Sequence, residues 1–122
     1  MATRPADRSL HSELASLGRF AEPSLAILLA LSGGPKHGYA IMADARALTG
    51  ENLGPGTLYA TLSRLEARGL IEGLPAEDRR RPYRLTDAGA ATLRTRLESL
   101  GGIVNAGLAR LGESKGGPAA NS

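Results

Sequence analysis

Apolar residues recur along the chain at helical spacing, in segments separated by glycine and proline. The first segment, from about Ser9 to Leu17, repeats leucine on one helix face, at Leu10, Leu14 and Leu17. The second begins at Pro23 and is apolar on nearly every side until Gly33, which predicts a central buried helix. The third covers about 36–50 and ends at a glycine; it places on one face Ile41, Ala45 and Leu48.

The stretch GPGTLYATLSRLEARG at residues 54–69 predicts a fourth helix with two different faces. Pro55 suits the first helical position, and a leucine stripe at i, i+4 and i+7 marks the buried face: Leu58, Leu62 and Leu65. The other side carries small and hydrogen-bonding residues: Thr57, Tyr59, Ala60, Ser63, Arg64 and Ala67. Small side chains let a helix backbone approach another surface, so this side is expected to meet a partner. An ordinary exposed helix in an alanine-rich chain is the alternative.

Two short apolar runs after this helix predict a β-hairpin. They are GLIEGL at 69–74 and PYRLT at 82–86, where Tyr83 and Leu85 alternate with Arg84. The connection between them, PAEDRRR at 75–81, is polar and rich in turn formers. The hairpin therefore displays at its tip three arginines: Arg79, Arg80 and Arg81.

A last helical segment follows Thr86, a suitable N-cap, and Asp87, whose charge complements the helix dipole. Apolar positions then alternate at spacings of four and three and form a seam at Leu93, Leu97, Leu100, Val104, Gly107 and Leu111. The seam can pack on the N-terminal helix of the same chain, and such packing is compatible with contact to a second copy of the chain. Gly101 and Gly102 are expected to kink or loosen this helix, and the residues after Gly112 are expected to be disordered.

The composition narrows the chemistry. The net charge is only +3, but thirteen of the 15 basic residues are arginines, whose planar donor fork suits phosphates and guanine edges. The absence of cysteine excludes disulfides, thiolate catalysis and zinc fingers. The N-terminal region carries charges where a signal peptide needs an apolar run, and the apolar run Leu25 to Leu31 is too short to span a membrane. A cytoplasmic protein is therefore expected.

The sequence gives little indication of a metal site or of an enzyme active site. His37 has only His11 as a further histidine, with no carboxylate cluster nearby, so we expect no metal and no other cofactor. The glycines of SGGPKHG at 32–38 lack the phosphate-loop pattern, and no nucleophile, base and orienting acid stand at a defensible spacing. We therefore expect a protein without enzymatic activity. We interpret HGY at 37–39 as structural, with Tyr39 packing at the root of its helix.

The order of a helix, a turn, a second helix with a small-residue face and a basic-tipped hairpin is that of a winged helix-turn-helix. This fold lays the second helix in the DNA major groove and the wing along the backbone or the minor groove. The predicted fold class is thus mainly α with a small β-hairpin. Two alternatives stay open: a winged-helix module for protein contact without specific DNA binding, and a regulator of another winged-helix family such as the multidrug-resistance regulators.

Three segments in register resemble the PadR family of bacterial transcriptional regulators over roughly residues 25–97. They are ILLALSGGPKHGYAI, PGTLYATLSRLEARGLIEG and RRRPYRLTDAG. The family often has serine where this chain has Gly54, so the start of the fourth helix is expected to be capped less strongly. The resemblance implies a repressor that binds a two-fold related operator in double-stranded DNA as a homodimer. It also implies release by a small-molecule effector at the dimer interface.

The resemblance also implies which residues contact DNA. They are Thr57, Tyr59 and Arg64 on the fourth helix and Arg79, Arg80 and Arg81 on the wing, and contacts are expected as well from Ala60 and Ser63, which lie on the same helix face. Structural alternatives are half-buried packing for Tyr59, a local backbone partner for Thr57, and pairing of the wing arginines with Glu77 and Asp78. The dimer interface is expected at Leu10, Leu14, Leu93, Leu97, Leu100, Val104 and Leu111. The predicted parts are an N-terminal arm (1–22), the winged domain (23–86), a dimerisation helix (87–112) and a disordered tail (113–122).

Overall fold

The computed structural model describes residues 23–116. Its elements in chain order are helices α1 (Pro23–Leu31), α2 (Gly38–Thr49) and α3 (Pro55–Ala67), strands β1 (Ile71–Gly73) and β2 (Tyr83–Leu85), and helix α4 (Asp87–Gly116). The predicted class, mainly helical with one small hairpin, is confirmed. The predicted helix at 9–17, with Leu10 and Leu14, lies outside the described residues.

The core forms around α1, because this helix has no polar side to turn toward solvent. Ala26, Ile27 and Ala30 are fully buried, and α1 packs against both α2 and α3. From α3 the predicted leucine stripe enters this core, with exposures of 0% for Leu58, 1% for Leu62 and 3% for Leu65. The buried stripe predicted from helical spacing is therefore confirmed.

The buried face of α2 ends before the last turn of the helix. Ile41 and Ala45 are buried, whereas Leu48, which shares their face, is 56% exposed. Leu48 lies two turns after Ile41 on the same side of α2, beyond Ala45, the last buried residue of the helix. The helix ends as predicted at Gly50, whose positive φ of 78° favours glycine.

The wing is a two-stranded antiparallel hairpin in which Ile71 pairs with Leu85 and Gly73 with Tyr83. The connection between α1 and α2 joins its outer edge, because Lys36 and Tyr83 exchange backbone hydrogen bonds of 3.1 and 2.9 Å. The Lys36 ammonium also donates to the Ala30 carbonyl at the end of α1, at 2.8 Å. The helix-turn-helix and the wing are thereby tied together through the backbone.

Thr86 fixes the start of α4. Its hydroxyl accepts a hydrogen bond from the Gly89 N–H at 3.0 Å, which confirms the predicted N-cap, and it donates to the Gly69 carbonyl at 2.7 Å. Its own N–H donates to the Leu70 carbonyl at 3.1 Å. Gly89 lies so close to that carbonyl that a Cβ there would collide with it. The first turn of α4 is therefore held against the chain that leaves α3.

The described chain divides into two compact units, one ending at Ala90 and the other beginning at Ala91. Helix α4 runs through Gly101 and Gly102 as continuous α-helix and ends at Gly116, beyond the predicted boundary at 112. Each glycine lowers helix propensity by about 1 kcal/mol but does not remove a backbone hydrogen bond, so the helix can continue through both. Within residues 23–116, no helix is long and apolar enough to cross a membrane.

Candidate nucleic-acid interface

The outer face of α3 is the largest part of the candidate interface. Burial of the leucine stripe turns the opposite side of the helix to solvent, and all five residues predicted to read DNA from this helix are exposed there: Thr57, Tyr59, Ala60, Ser63 and Arg64. Among the described residues, no carboxylate lies within 4 Å of the Arg64 guanidinium. The helix therefore presents an arginine, three hydroxyls and the methyl group of Ala60 on one surface.

The first turn of α3 leaves donors available. Gly54 is the N-cap in an extended conformation with no side-chain cap, and Pro55 follows at the first helical turn, as predicted. Thr57 uses its backbone carbonyl to accept from the buried Thr61 hydroxyl at 2.7 Å. Among residues 23–116 the Thr57 hydroxyl itself has no hydrogen-bond partner, so this side chain is available to an external acceptor.

The tip of the wing is a tight two-residue turn. Glu77 and Arg80 exchange two backbone hydrogen bonds of 2.6 and 2.8 Å, with Asp78 and Arg79 between them. Both central residues have positive φ, 49° for Asp78 and 68° for Arg79. Such turns favour Asn-Gly or Asp-Gly, and an arginine in the left-handed region is sterically disfavoured. The turn thus carries a long basic side chain at a position that suits glycine better.

The three consecutive arginines have different surroundings. The Arg81 Nη2 lies 3.3 Å from the Glu66 Oε2 on α3, and its guanidinium lies over the Tyr83 ring, 5.6 Å from the centroid. It also lies against Gly73, where a Cβ would collide with it. The same Glu66 oxygen accepts from the Gly73 N–H at 3.3 Å. Arg81 therefore joins the wing to α3.

Arg79 and Arg80 differ from Arg81, because no carboxylate of residues 23–116 lies within 4 Å of either guanidinium. The pairing with Glu77 and Asp78 considered from the sequence is not present; the Glu77 carboxylate instead lies 3.8 Å from the His37 Nε2. Further along the wing, Arg84 bonds to Glu72 at 2.9 Å, and this hydrogen bond raises the pKa of the Arg84 guanidinium.

Two residues of this surface were misjudged or missed from the sequence. Tyr39 was expected to pack at the root of α2, but it is 80% exposed, so that prediction was wrong. One residue beyond Gly38 the helix turns by about 100°, which carries Tyr39 away from the buried face. The helical spacing of Ile41 and Ala45 indicates that Tyr39 faces away from the buried side of α2. Glu66 was missed, since nothing in its own surroundings along the chain indicates a partner fifteen residues away.

The described residues contain no group of three or more His, Asp or Glu side chains that could hold a metal ion. His37 is the N-cap of α2 without a side-chain cap bond, and its imidazole faces the wing at Glu77. The outer face of α3 and the wing tip together present hydrogen-bond donors and positive charge on an exposed surface.

A helix with a donor-rich outer face, packed on two further helices and followed by a basic-tipped hairpin, is a winged helix-turn-helix of the DNA-binding class. The chain belongs to the transcriptional regulator PadR-like family, whose model matches residues 27–95. The description of this family is that of transcriptional regulators.

One curated protein is similar in sequence to this chain. The chain is 43% identical over 79 residues to an uncharacterized 37.1 kDa protein in transposon TN4556 of Streptomyces fradiae, a match that covers 65% of this chain and 23% of that protein. This chain thus spans less than a quarter of the curated relative it matches.

Solved structures of regulators are similar as well. A PadR family transcriptional regulator from Eggerthella lenta matches with a TM-score of 0.60 and 29% identity, over 88% of this chain and 95% of that one. A PadR family transcription regulator from Clostridium difficile matches with a TM-score of 0.62 and 26% identity, over 69% and 92%.

The wing turn yields a prediction in which stability and DNA affinity respond differently. Arg79→Gly should leave the free energy of unfolding unchanged or raise it by up to about 1 kcal/mol, because glycine adopts the positive φ without strain. The same change should weaken binding to any DNA sequence and reduce the slope of log K against log salt by about 0.9, if Arg79 contacts one phosphate. Urea unfolding and fluorescence anisotropy at several salt concentrations measure both effects.

Arg79→Lys is the matched control, because it keeps both the charge and the strained φ, and it should preserve the salt slope. If Arg79→Gly leaves the slope of log K against log salt unchanged, Arg79 does not contact a DNA phosphate.

Proposed function

We propose that the protein is a repressor that binds a two-fold related DNA operator as a homodimer, with α3 in the major groove and the wing along the backbone. The observation that supports this best is the division of α3 into a buried leucine stripe and an exposed face of donors and small residues. Action on the chromosome places the protein in the cytoplasm, and it requires no catalysis and no cofactor.

On α3 the base-reading role falls first to Arg64. Its exposed guanidinium matches the O6 and N7 acceptors of guanine as a bidentate donor. Ala60 lies one turn before it and lets the helix backbone approach the base edges, where a methyl group also suits the methyl of thymine. Thr57 and Ser63 flank this pair with hydroxyls that suit either base edges or phosphates.

On the wing the phosphate contacts fall to Arg79 and Arg80, which have no intramolecular carboxylate partner among the described residues. Arg81 contributes differently from the other two, because its bond to Glu66 fixes the wing relative to α3. The bond is an exposed ion pair and adds little to global stability, about 0–1 kcal/mol. Its proposed value lies in geometry, since it sets the angle at which the wing meets the DNA backbone.

The dimer contact is proposed along α4. Four of its exposed large apolar residues form a stripe on one side of the helix: Leu97, Val104, Leu108 and Leu111. Ile103, which is also exposed, lies about 100° away from this stripe. Val104 is 55% and Leu111 64% exposed, which is unusual for side chains of this kind unless a partner covers them. Leu100 is intermediate in exposure and lies on the same stripe. A second α4 packed in the manner of a coiled coil would cover the stripe.

Leu93 differs from the other seam residues, because it is only 5% exposed in the single chain. It therefore adds little to the open stripe. The seam proposed here begins at Leu97, and the part assigned to Leu10 and Leu14 lies outside the described residues.

An effector bound at or near this seam would change operator affinity by favouring one separation of the two recognition helices. Thermodynamic linkage requires that operator DNA then changes the affinity for the effector by the same factor. The chain has one phenylalanine and no tryptophan, so a large pocket of stacked aromatic side chains is not expected. Reciprocal titrations of operator and candidate effector test this link, and equal operator affinities with and without effector would contradict it.

Arg64→Ala tests the base-reading role. The substitution should lower affinity for an operator selected from random DNA by about 1–3 kcal/mol and relax the base preference at one position per half-site. Fluorescence anisotropy on the operator and on single-base variants measures both. Arg46→Ala removes an exposed arginine from the last turn of α2 and serves as the control for loss of charge alone. Equal losses on operator and random DNA for Arg64→Ala would count against base reading.

Leu97→Glu tests the proposed dimer. Two glutamates facing each other in a dry seam should weaken dimerisation by about 3 kcal/mol, roughly 100-fold in Kd. Sedimentation should show a monomer that retains weak, salt-sensitive binding to any DNA but has lost operator binding. Ala106→Glu adds the same charge on the opposite side of α4 and should leave the dimer intact. An intact Leu97→Glu dimer with normal operator binding would refute the seam.

A further inference from the structure

Gly38, the first residue of α2, is buried against the start of α3. A Cβ built at this position would lie 2.5 Å from the Tyr59 hydroxyl oxygen, 3.1 Å from its Cζ and 3.2 Å from the Leu58 Cδ2. Gly38 is not among the residues with positive φ, so its backbone does not require glycine. The limited space at this position, and not the backbone conformation, favours a residue without a side chain.

This close approach is specific to Gly38 among the glycines around the start of α3. A Cβ at Gly54 or Gly56 would meet no described heavy atom within 4 Å. The two other tight glycines serve other contacts, since Gly73 makes room for the Arg81 guanidinium and Gly89 for the Leu70 carbonyl. Gly38 alone makes room for a side chain that belongs to the exposed face of α3.

Tyr59 is the largest side chain on that face. The residue is 53% exposed, while its hydroxyl end lies against Gly38. One side of the ring is thus held by α2 and the other remains open to a partner. Because Tyr59 stands one helical turn before Ser63, the direction of the ring determines how closely this part of α3 can approach DNA.

We infer that Gly38 is a positioning residue for DNA recognition: it leaves the space in which the Tyr59 ring lies over the start of α2, and so fixes the direction of that ring before DNA binds. The inference rests on the proposed function, because it takes the outer face of α3 as the surface that meets DNA. A side chain already held in its bound direction loses less rotamer freedom on binding, which favours affinity for the correct site.

The geometry separates this role from ordinary packing. A Cβ at position 38 collides mainly with the far end of the Tyr59 side chain, which can swing outward, and asks Leu58 to move by only a few tenths of an ångström. Replacing glycine by alanine in a helix otherwise favours folding. Gly38→Ala should therefore keep the fold and displace Tyr59.

The experiment is a double-mutant cycle on operator binding, with Gly38→Ala and Tyr59→Ala alone and together. Gly38→Ala should lower operator affinity about tenfold, the size of one lost hydrogen bond in a formed interface, and should change affinity for random DNA by less than about twofold. In the Tyr59→Ala background it should have no further effect, because the side chain it displaces is gone. Gly102→Ala, at a helical glycine with open space around it, is the control and should leave operator affinity unchanged.

NMR of the free protein tests the positioning itself. The wild-type chain should give NOEs between the Gly38 Hα protons and the Tyr59 ring protons, and Gly38→Ala should shift the ring signals. If Gly38→Ala alone fails to fold, the double variant Gly38→Ala and Tyr59→Phe removes the atom of closest approach and takes its place in the cycle.

An unchanged operator affinity for Gly38→Ala, or an equal loss in the Tyr59→Ala background, would overturn the inference while leaving the proposed function intact. Absence of operator selectivity in the wild-type protein would overturn the proposed function and the inference with it, even if the NOEs are present.

Discussion

Burial of three leucines of α3 beneath α1 is the constraint on which the rest of the structure depends. Helix α1 is apolar on every side, so it becomes the centre around which the other elements pack. Because Leu58, Leu62 and Leu65 are buried there, the 3.6-residue period of the helix determines which residues of α3 face outward. The surface that α3 offers to a partner is therefore determined by its own core stripe.

The other elements are fixed relative to α3 by a small number of directed contacts. Lys36 joins the turn between α1 and α2 to the wing, and Thr86 holds the first turn of α4 to the chain leaving α3. Glu66 and Arg81 link the wing to α3 from the side. Each contact is modest in energy, but together they hold two separate surfaces, the outer face of α3 and the tip of the wing, in a defined geometry relative to each other.

Much of this could be predicted from the sequence because it follows from local periodicity and turn chemistry. The stripe of α3, the hairpin and the Thr86 cap all depend on residues within a few positions of one another. The exposure of Leu48 could not be predicted, because helical spacing places it on the same side as the buried Ile41 and does not show that the buried face ends at Ala45.

The distinct roles of neighbouring residues required the three-dimensional contacts. Three identical arginines in a row give no sign that the third pairs with a carboxylate fifteen residues earlier. The positive φ of Arg79 is equally hidden, since no glycine or asparagine marks the turn. Among the glycines, only the contact with Tyr59 distinguishes Gly38, whose missing side chain matters, from Gly54 and Gly56, which have open space around them.

The central claim is that the outer face of α3 and the tip of the wing form one DNA-binding surface. The most direct measurement is amide chemical-shift mapping of the isotope-labelled protein titrated with a duplex selected from random DNA. The largest changes should fall on the exposed positions of α3, from Thr57 to Arg64, and on the wing tip at Asp78, Arg79 and Arg80, with little change in the buried residues of α1. Changes confined to α4, or none on α3 at saturating DNA, would contradict that claim.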